Sequence, residues 1–173
     1  MINKLNFLFV TIFGLGKIPK IPGTFGSLAT IITLYILFHI LNLSSNIILL
    51  GLIIIFILSF LAISTHIKDS ENKDPKEVII DEFIGQSIPI YLYEISHGTE
   101  KSADEAMIFY GICFVLFRFF DITKIGPIKR FENLPNGIGI MADDIVAGLF
   151  ALVTQAAILT SLNQNIYIKT LWN

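Results

Sequence analysis

Charge is scarce in this chain. Of 173 residues only 15% are Asp, Glu, Lys or Arg, while 54% are hydrophobic. Ordinary soluble domains carry about 25% charged residues, so the composition excludes one of those. With a net charge of −2 and no basic stripe interleaved with aromatics, the chain offers no nucleic-acid signal. Cysteine is nearly absent too. The single Cys113 rules out an internal disulfide and reads as a small buried hydrophobe. HExxH and CxxC arrangements are missing, which argues against zinc. So is a Walker A loop, because Thr11 and Ile18 stand where that loop needs Gly and Ser/Thr. There is no DxDx[TV] pattern, and Ser27 alone does not make a nucleophilic triad. No internal repeat or low-complexity linker divides the chain, so residues 1–173 read as one domain.

Long apolar runs fill the space that charge leaves. A mean hydropathy of +0.73 points to an integral membrane protein. Thr24–Leu43 contains no Asp, Glu, Lys or Arg and is long enough to span a bilayer at about 1.5 Å per residue. Asn46–Thr65 is a second span, and the short linker between them predicts an antiparallel hairpin. Ile145–Leu162 is also long enough to cross. Phe83–Tyr93, which contains Pro89, and Ala106–Phe117 are short. They either cross as tilted helices or pack as core helices that never cross, and periodicity does not separate the two. His66–Glu77 reads as a solvated loop, with His66 and His97 solvated. Lys4 followed by LNFLFVTIF resembles a signal-peptide h-region, but no small-x-small site follows it; a short interfacial helix is expected. If all five segments cross from a cytoplasmic Gly14–Gly23 loop, Lys17, Lys20, Lys68, Lys73, Lys76, Arg118, Lys124, Lys129 and Arg130 share one side. The acid-rich linker Glu94–Glu105 falls on the other, as the positive-inside tendency favours. The expected architecture is a compact multi-helix integral membrane bundle with its polar loops and helix ends on the cytoplasmic face.

Five acids stand at the mouths of these runs. Asp81 and Glu82 open DEFIGQSIPIYLY, Asp121 closes FVLFRFFD, and Asp143 and Asp144 open DDIVAGLFALV. A carboxylate beside so much apolar surface persists when a cation or hydrogen bonds compensate it. Oxygen ligands alone suit a hard ion such as Mg²⁺. Asp81 and Glu82, about 100° apart on a helix, are expected to divide the work, one on metal and the other orienting water or ligand. Arg118, Asp121 and Lys124 share a helical face; the bland reading is a run of intrahelical ion pairs. A glycine loop is expected to deliver Asp143 and Asp144 to the start of the last helix. In GLGKIPKIPGTFGS, Gly14 to Ser27, glycines admit a phosphate and Lys17 and Lys20 add charge; the alternative is a loop whose Thr24 or Ser27 caps a helix. His39, inside the first span, reads as a satisfied polar group or an interfacial one.

In this order, GLGKIPKIPGTFGS, DPKEVIIDEFIGQ, FRFFDITK and GIGIMADDIVAG resemble the phosphatidylglycerophosphatase A family, from about Gly14 to Ala151. The resemblance implies an all-α fold and a Mg²⁺-dependent phosphatase of the bacterial inner membrane; the charge placement above puts its expected active site on the cytoplasmic face. The substrate would be phosphatidylglycerophosphate, the products phosphatidylglycerol and inorganic phosphate. On the matching positions Asp81, Glu82, Asp121, Asp143 and Asp144 are expected to hold Mg²⁺ and carry catalysis. Lys17, Lys20, Arg118 and Lys124 are expected on phosphate oxygens. Two loops depart from the family pattern: Lys124-Ile125-Gly126-Pro127 replaces Lys-Pro-Trp-Pro, and Asn136-Gly137 replaces a glycine pair. A membrane head-group phosphotransferase is one rival, but its DGxxAR…GxxxDxxxD spacing is absent. A non-enzymatic cation-binding membrane protein is another; it would place acids inside the spans, whereas these cluster at segment ends.

Overall fold

The computed structural model describes residues 2–68, 75–97, 103–135 and 137–171, and among them every regular element is helical. The elements are α1 (Ile2–Val10), α2 (Pro22–Tyr35), α3 (Ser45–Ile67), α4 (Ile80–His97), α5 (Ala103–Thr123), α6 (Ile128–Glu132) and α7 (Gly137–Leu171). A π-helical turn, Ile36–Ile40, prolongs α2. Helix is what such apolar runs must form in lipid, where each backbone N–H and C=O needs an internal partner.

Four stretches are long and apolar enough to cross a membrane: Pro22–Ile40, Ser45–Ile67, Asp104–Thr123 and Gly137–Ser161. Both expected spans in α2 and α3 are present, though α2 packs mainly on α4 and α3 on α1, α4 and α7 rather than on each other, and the short Ala106–Phe117 run proves to be the middle of a crossing-length helix. The Phe83–Tyr93 run resolves the other way. It belongs to α4, which carries Asp81, Glu82, Glu94 and an internal Pro89 and is buried along most of its length. Protein rather than lipid surrounds α4, so its sequence need not be continuously apolar. The contrast with α3 is plain, since Leu50, Ile53, Ile54, Ile57, Leu58 and Leu61 all face outward there.

The tightest packing is between α4 and α7. A Cβ at Gly148 would lie 2.3 Å from the Gly85 carbonyl oxygen, and one at Gly85 would lie 2.6 Å from that of Asp144. Pro89 has no N–H to offer the Gly85 carbonyl four residues earlier. That carbonyl is instead turned against the bare Cα of Gly148, an approach that only small residues permit.

The two ends of the bundle differ. At one, His39 Nε2 meets Glu94 Oε1 at 3.3 Å, with the Tyr35 and Tyr110 rings 5.1 and 6.1 Å from the imidazole. His39 is thus a satisfied polar group that ties α2 to α4. Deeper in, Cys113 Sγ donates to Gln155 Oε1 at 3.0 Å, and Cys113 is buried as expected. At the other end α1 turns into a loop that packs on the entry to α4. Ile79 N–H donates to Val10 O at 2.9 Å, and a Cβ on Gly16 would lie 1.9 Å from the Glu77 carbonyl oxygen.

Three local expectations are corrected. The solvated loop starts later than His66, because His66 and Ile67 still belong to α3. His66 is only partly exposed and its ring stacks 5.8 Å from Phe7; residues 69–74, Lys73 among them, and the side chains of His97 and Lys101 lie outside the described residues. Neither Thr24 nor Ser27 caps α2: the helix starts at Pro22, whose missing N–H suits a first turn, and Ser27 Oγ donates back to Gly23 O at 3.1 Å.

Candidate active site

The start of α4, the end of α5 and the second and third turns of α7 meet around a cavity of about 400 Å³ at the loop-rich end. Asp81 and Glu82 enter from the first turn of α4. Arg118 and Asp121 come from the last turns of α5, with Lys124 just beyond it. Asp143 and Asp144 come from inside α7, not from its start as expected: the glycines Gly137 and Gly139 are already helical. That placement removes the bland explanation of the pair, because capping operates only at the first turn.

Among the described residues, Asp81, Glu82 and Asp144 each offer an oxygen, and the three oxygens lie within 4.8 Å of one another. Asp81 and Glu82 therefore converge despite their 100° separation. They sit in the first turn, and the α4–α7 contact at Gly85 and Gly148 brings Asp144 to meet them. Glu82 Oε2 is buried without a hydrogen-bond partner. Burial, chiefly, and the charge of Asp121 push the Glu82 carboxyl up to about 7, against the opposing bond from Asp81 and the charge of Arg118. The remaining two acids already face cations. Asp121 pairs with Arg118, and Asp143 with Lys124. Arg118 Nη1 also stands 4.0 Å from Glu82 Oε1, and Lys124 Nζ 3.0 Å from Glu132 Oε1. Burial works against the ammonium of Lys124, but its bond to Asp143 and the charges of Asp143 and Glu132 outweigh it and raise its pKa.

Room for this arrangement is made by Gly23 of α2. A Cβ there would lie 2.1 Å from Glu82 Oε1 and 3.0 Å from Arg118 Nη1. Two of the lining cations hold unusual backbone: φ is +81° at Lys20 and +46° at Lys124, the left-handed region that costs a side-chain-bearing residue energy.

The structure thus brings eight of the nine sequence-predicted residues to one cavity: Asp81, Glu82, Asp121, Asp143, Asp144, Lys20, Arg118 and Lys124. Lys17 is apart, in an adjoining cavity, its Nζ 4.7 Å from the centre of the Phe7 ring. Sequence reasoning missed Lys76, which lines both cavities, and Glu132, which shares Lys124 with Asp143. Lys76 sits one residue after Pro75 in a charged stretch that resembles any solvated loop. Glu132 lies eight residues from Lys124, beyond helical pairing distance.

The donor set fits a hard divalent cation. It is all oxygen, one of those oxygens is a buried orphan, and no sulfur or imidazole joins the group. The charge balance agrees. Five carboxylates and four cationic side chains line the cavity, and a phosphomonoester would add about two more negative charges. Without a metal ion that excess lies in a partly buried site, where charge is expensive.

The chain has relatives among characterised sequence families. The family model described as phosphatidylglycerophosphatase A matches residues 8–159. A Haemophilus influenzae phosphatidylglycerophosphatase A is 35% identical over 161 residues, covering 91% of this chain and 90% of the relative. The Escherichia coli protein of the same name is 37% identical over 153 residues, covering 87% and 81%. A Bacteroides thetaiotaomicron protein, to which phosphatidylinositol-3-phosphatase activity is provisionally ascribed, is 29% identical over 150 residues, covering 86% and 90%. No solved structure matches the chain.

Proposed function

The chain belongs to the phosphatidylglycerophosphatase A family, and from that premise we propose that the acid-lined cavity is where it works, with a Mg²⁺ ion held by Asp81, Glu82 and Asp144. As a member it is a membrane phosphoric monoester hydrolase of phosphatidylglycerol biosynthesis, releasing inorganic phosphate from phosphatidylglycerophosphate. The observation that supports the site is the convergence of those three carboxylates beside Arg118 and Lys124.

The metal would offset the charge of the phosphate and position the attacking water. The protein's own groups do the rest. Arg118 presents a planar fork of donors and Lys124 and Lys20 present point charges, the two modes by which side chains hold phosphate oxygens. Asp121 and Asp143 orient Arg118 and Lys124 through their ion pairs. Phosphoryl transfer demands mainly positioning and charge stabilisation, so no nucleophilic side chain is required. Gly23 keeps the mouth of the site free of a side chain that would displace Glu82. The protein resides in the bacterial inner membrane with this end toward the cytoplasm, consistent with the cations gathered there.

The test uses purified protein in detergent micelles supplied with phosphatidylglycerophosphate. Phosphate release with Mg²⁺, abolished by EDTA and restored by added Mg²⁺, is the expected result; release that ignores EDTA would remove the metal from the site. Asp144→Asn is expected to reduce kcat at least about 100-fold, since the ligand set loses one of three carboxylates, while the protein remains folded and membrane-inserted. The Bacteroides relative makes phosphatidylinositol 3-phosphate the natural second substrate to offer. Both headgroups carry a phosphodiester to the lipid and a phosphomonoester on the same polyol.

A further inference from the structure

Beside the acid-lined cavity lies a larger one, of about 700 Å³. The two share Lys20, Pro22 and Lys76, which makes them immediate neighbours. Their charge balance differs, the acid-lined cavity being nearly balanced and the larger one positive. The larger cavity presents the ammonium groups of Lys17, Lys20 and Lys76 against one carboxylate, Glu77, and Glu77 Oε1 itself faces His66 Nε2 at 3.9 Å. Its walls are anchored. Lys17 is held over the Phe7 ring at 4.7 Å, a cation–π contact, and Gly16 leaves no space between the loop and the Glu77 carbonyl. On the chain segment between α1 and α2, Phe13 is 87% exposed, and Ile21, which lines the acid-lined cavity, is 52% exposed; such apolar side chains enter the headgroup layer of a bilayer.

We propose that this lysine cavity binds the phosphodiester of the lipid substrate while the neighbouring acid-lined cavity holds its terminal phosphomonoester. The proposal rests on the phosphatase reading of the acid-lined cavity and adds the basis of its selectivity: the enzyme favours headgroups that carry both phosphates. The division follows from charge. A diester keeps one negative charge and needs only a cation beside it, which Lys17 and Lys76 supply, with Lys20 standing between the two cavities. A glycerol unit separates the two phosphates of the substrate by three carbons, and the shared residues make the cavities neighbours on that scale.

The experiment compares phosphatidylglycerophosphate with phosphatidic acid, a lipid monoester that has no diester, in neutral detergent micelles. Binding of fluorescent phosphatidylglycerol, which keeps the diester and lacks the monoester, is measured on the same protein without turnover. In the double variant Lys17→Gln/Lys76→Gln, the ratio of kcat/KM for phosphatidylglycerophosphate over phosphatidic acid is expected to fall about tenfold or more, one lost charge-assisted contact being worth about that much. Phosphatidylglycerol binding is expected to weaken alongside. Lys129→Gln, at an exposed lysine lining neither cavity, is expected to retain both values. An unchanged ratio with unchanged phosphatidylglycerol binding overturns the proposal. So does an equal loss in Lys129→Gln, which would mean general attraction to anionic lipid. If the wild-type protein releases no phosphate from phosphatidylglycerophosphate, the phosphatase reading fails, and the binding arm still decides whether the lysine cavity recognises a diester.

Discussion

At Gly23 the active end has no room for a side chain. A methyl group there would meet Glu82 Oε1 at 2.1 Å and Arg118 Nη1 at 3.0 Å. Glu82 is the longer arm of the three-carboxylate group, so it is the one that would yield. Gly23→Ala is therefore expected to lower Mg²⁺ affinity and activity about 10–100-fold, the range for groups that orient a metal ligand. Melting temperature should change little, because the pressure falls on a side chain at a cavity. Titration of Mg²⁺ against activity checks this; normal affinity in the variant would detach Gly23 from the site. Much at this scale was legible in the chain. The carboxylates betrayed themselves by standing at the edges of apolar runs, where charge is costly. Gly23 did not, since a glycine in a loop motif looks the same whether it bends the backbone or clears space for a residue 59 positions away.

Between elements, the decisive contact is α4 on α7. Gly85 and Gly148 let the two backbones approach until the Gly85 carbonyl nearly touches the Gly148 Cα, and Pro89 leaves that carbonyl without its intrahelical donor. Such a crossing tolerates no added methyl. Gly148→Ala is expected to cost about 1–3 kcal/mol, as overpacking does, and Gly85→Leu more. Both should also reduce activity, because Asp144 sits on the same stretch of α7. Thermal denaturation in micelles together with the Mg²⁺ titration checks the coupling; a destabilised variant with unaltered Mg²⁺ affinity would show that the crossing does not place Asp144. That Gly85 and Gly148 approach each other was not legible in the sequence, and neither was the helical start of α7 at Gly137, which local glycine content disfavours and packing imposes.

For the molecule as a whole, polarity is segregated along the bundle axis. The acids, the lysine cavity and the loops occupy one end; His39, Glu94 and the tyrosines around them occupy the other. The proposed orientation puts the first end in the cytoplasm. Cys113 is buried, so single cysteines introduced elsewhere report cleanly. Lys129→Cys is expected to react with an impermeant maleimide only after cells are opened, and Asn42→Cys to react in intact spheroplasts; the reverse pattern would invert the topology. Composition alone announced a membrane protein and the crossing-length helices α2 and α3, because partition into lipid depends on contiguous apolar length; it did not foresee that α2 packs on α4 rather than on α3. It left α4 open, since a helix enclosed by protein is under no such constraint.

By itself the sequence determined the solvent the protein lives in, the helical class, and the acidic and basic side chains that gather at one end of the bundle. Each of these depends on a residue's own properties or on its neighbours along the chain. Only the tertiary structure decided that Asp81, Glu82 and Asp144 share one site while Asp121 and Asp143 face Arg118 and Lys124, and that Lys17 and Lys76 line a separate cavity. Those outcomes depend on helices far apart in sequence closing to backbone contact, and one-dimensional spacing holds no record of that distance.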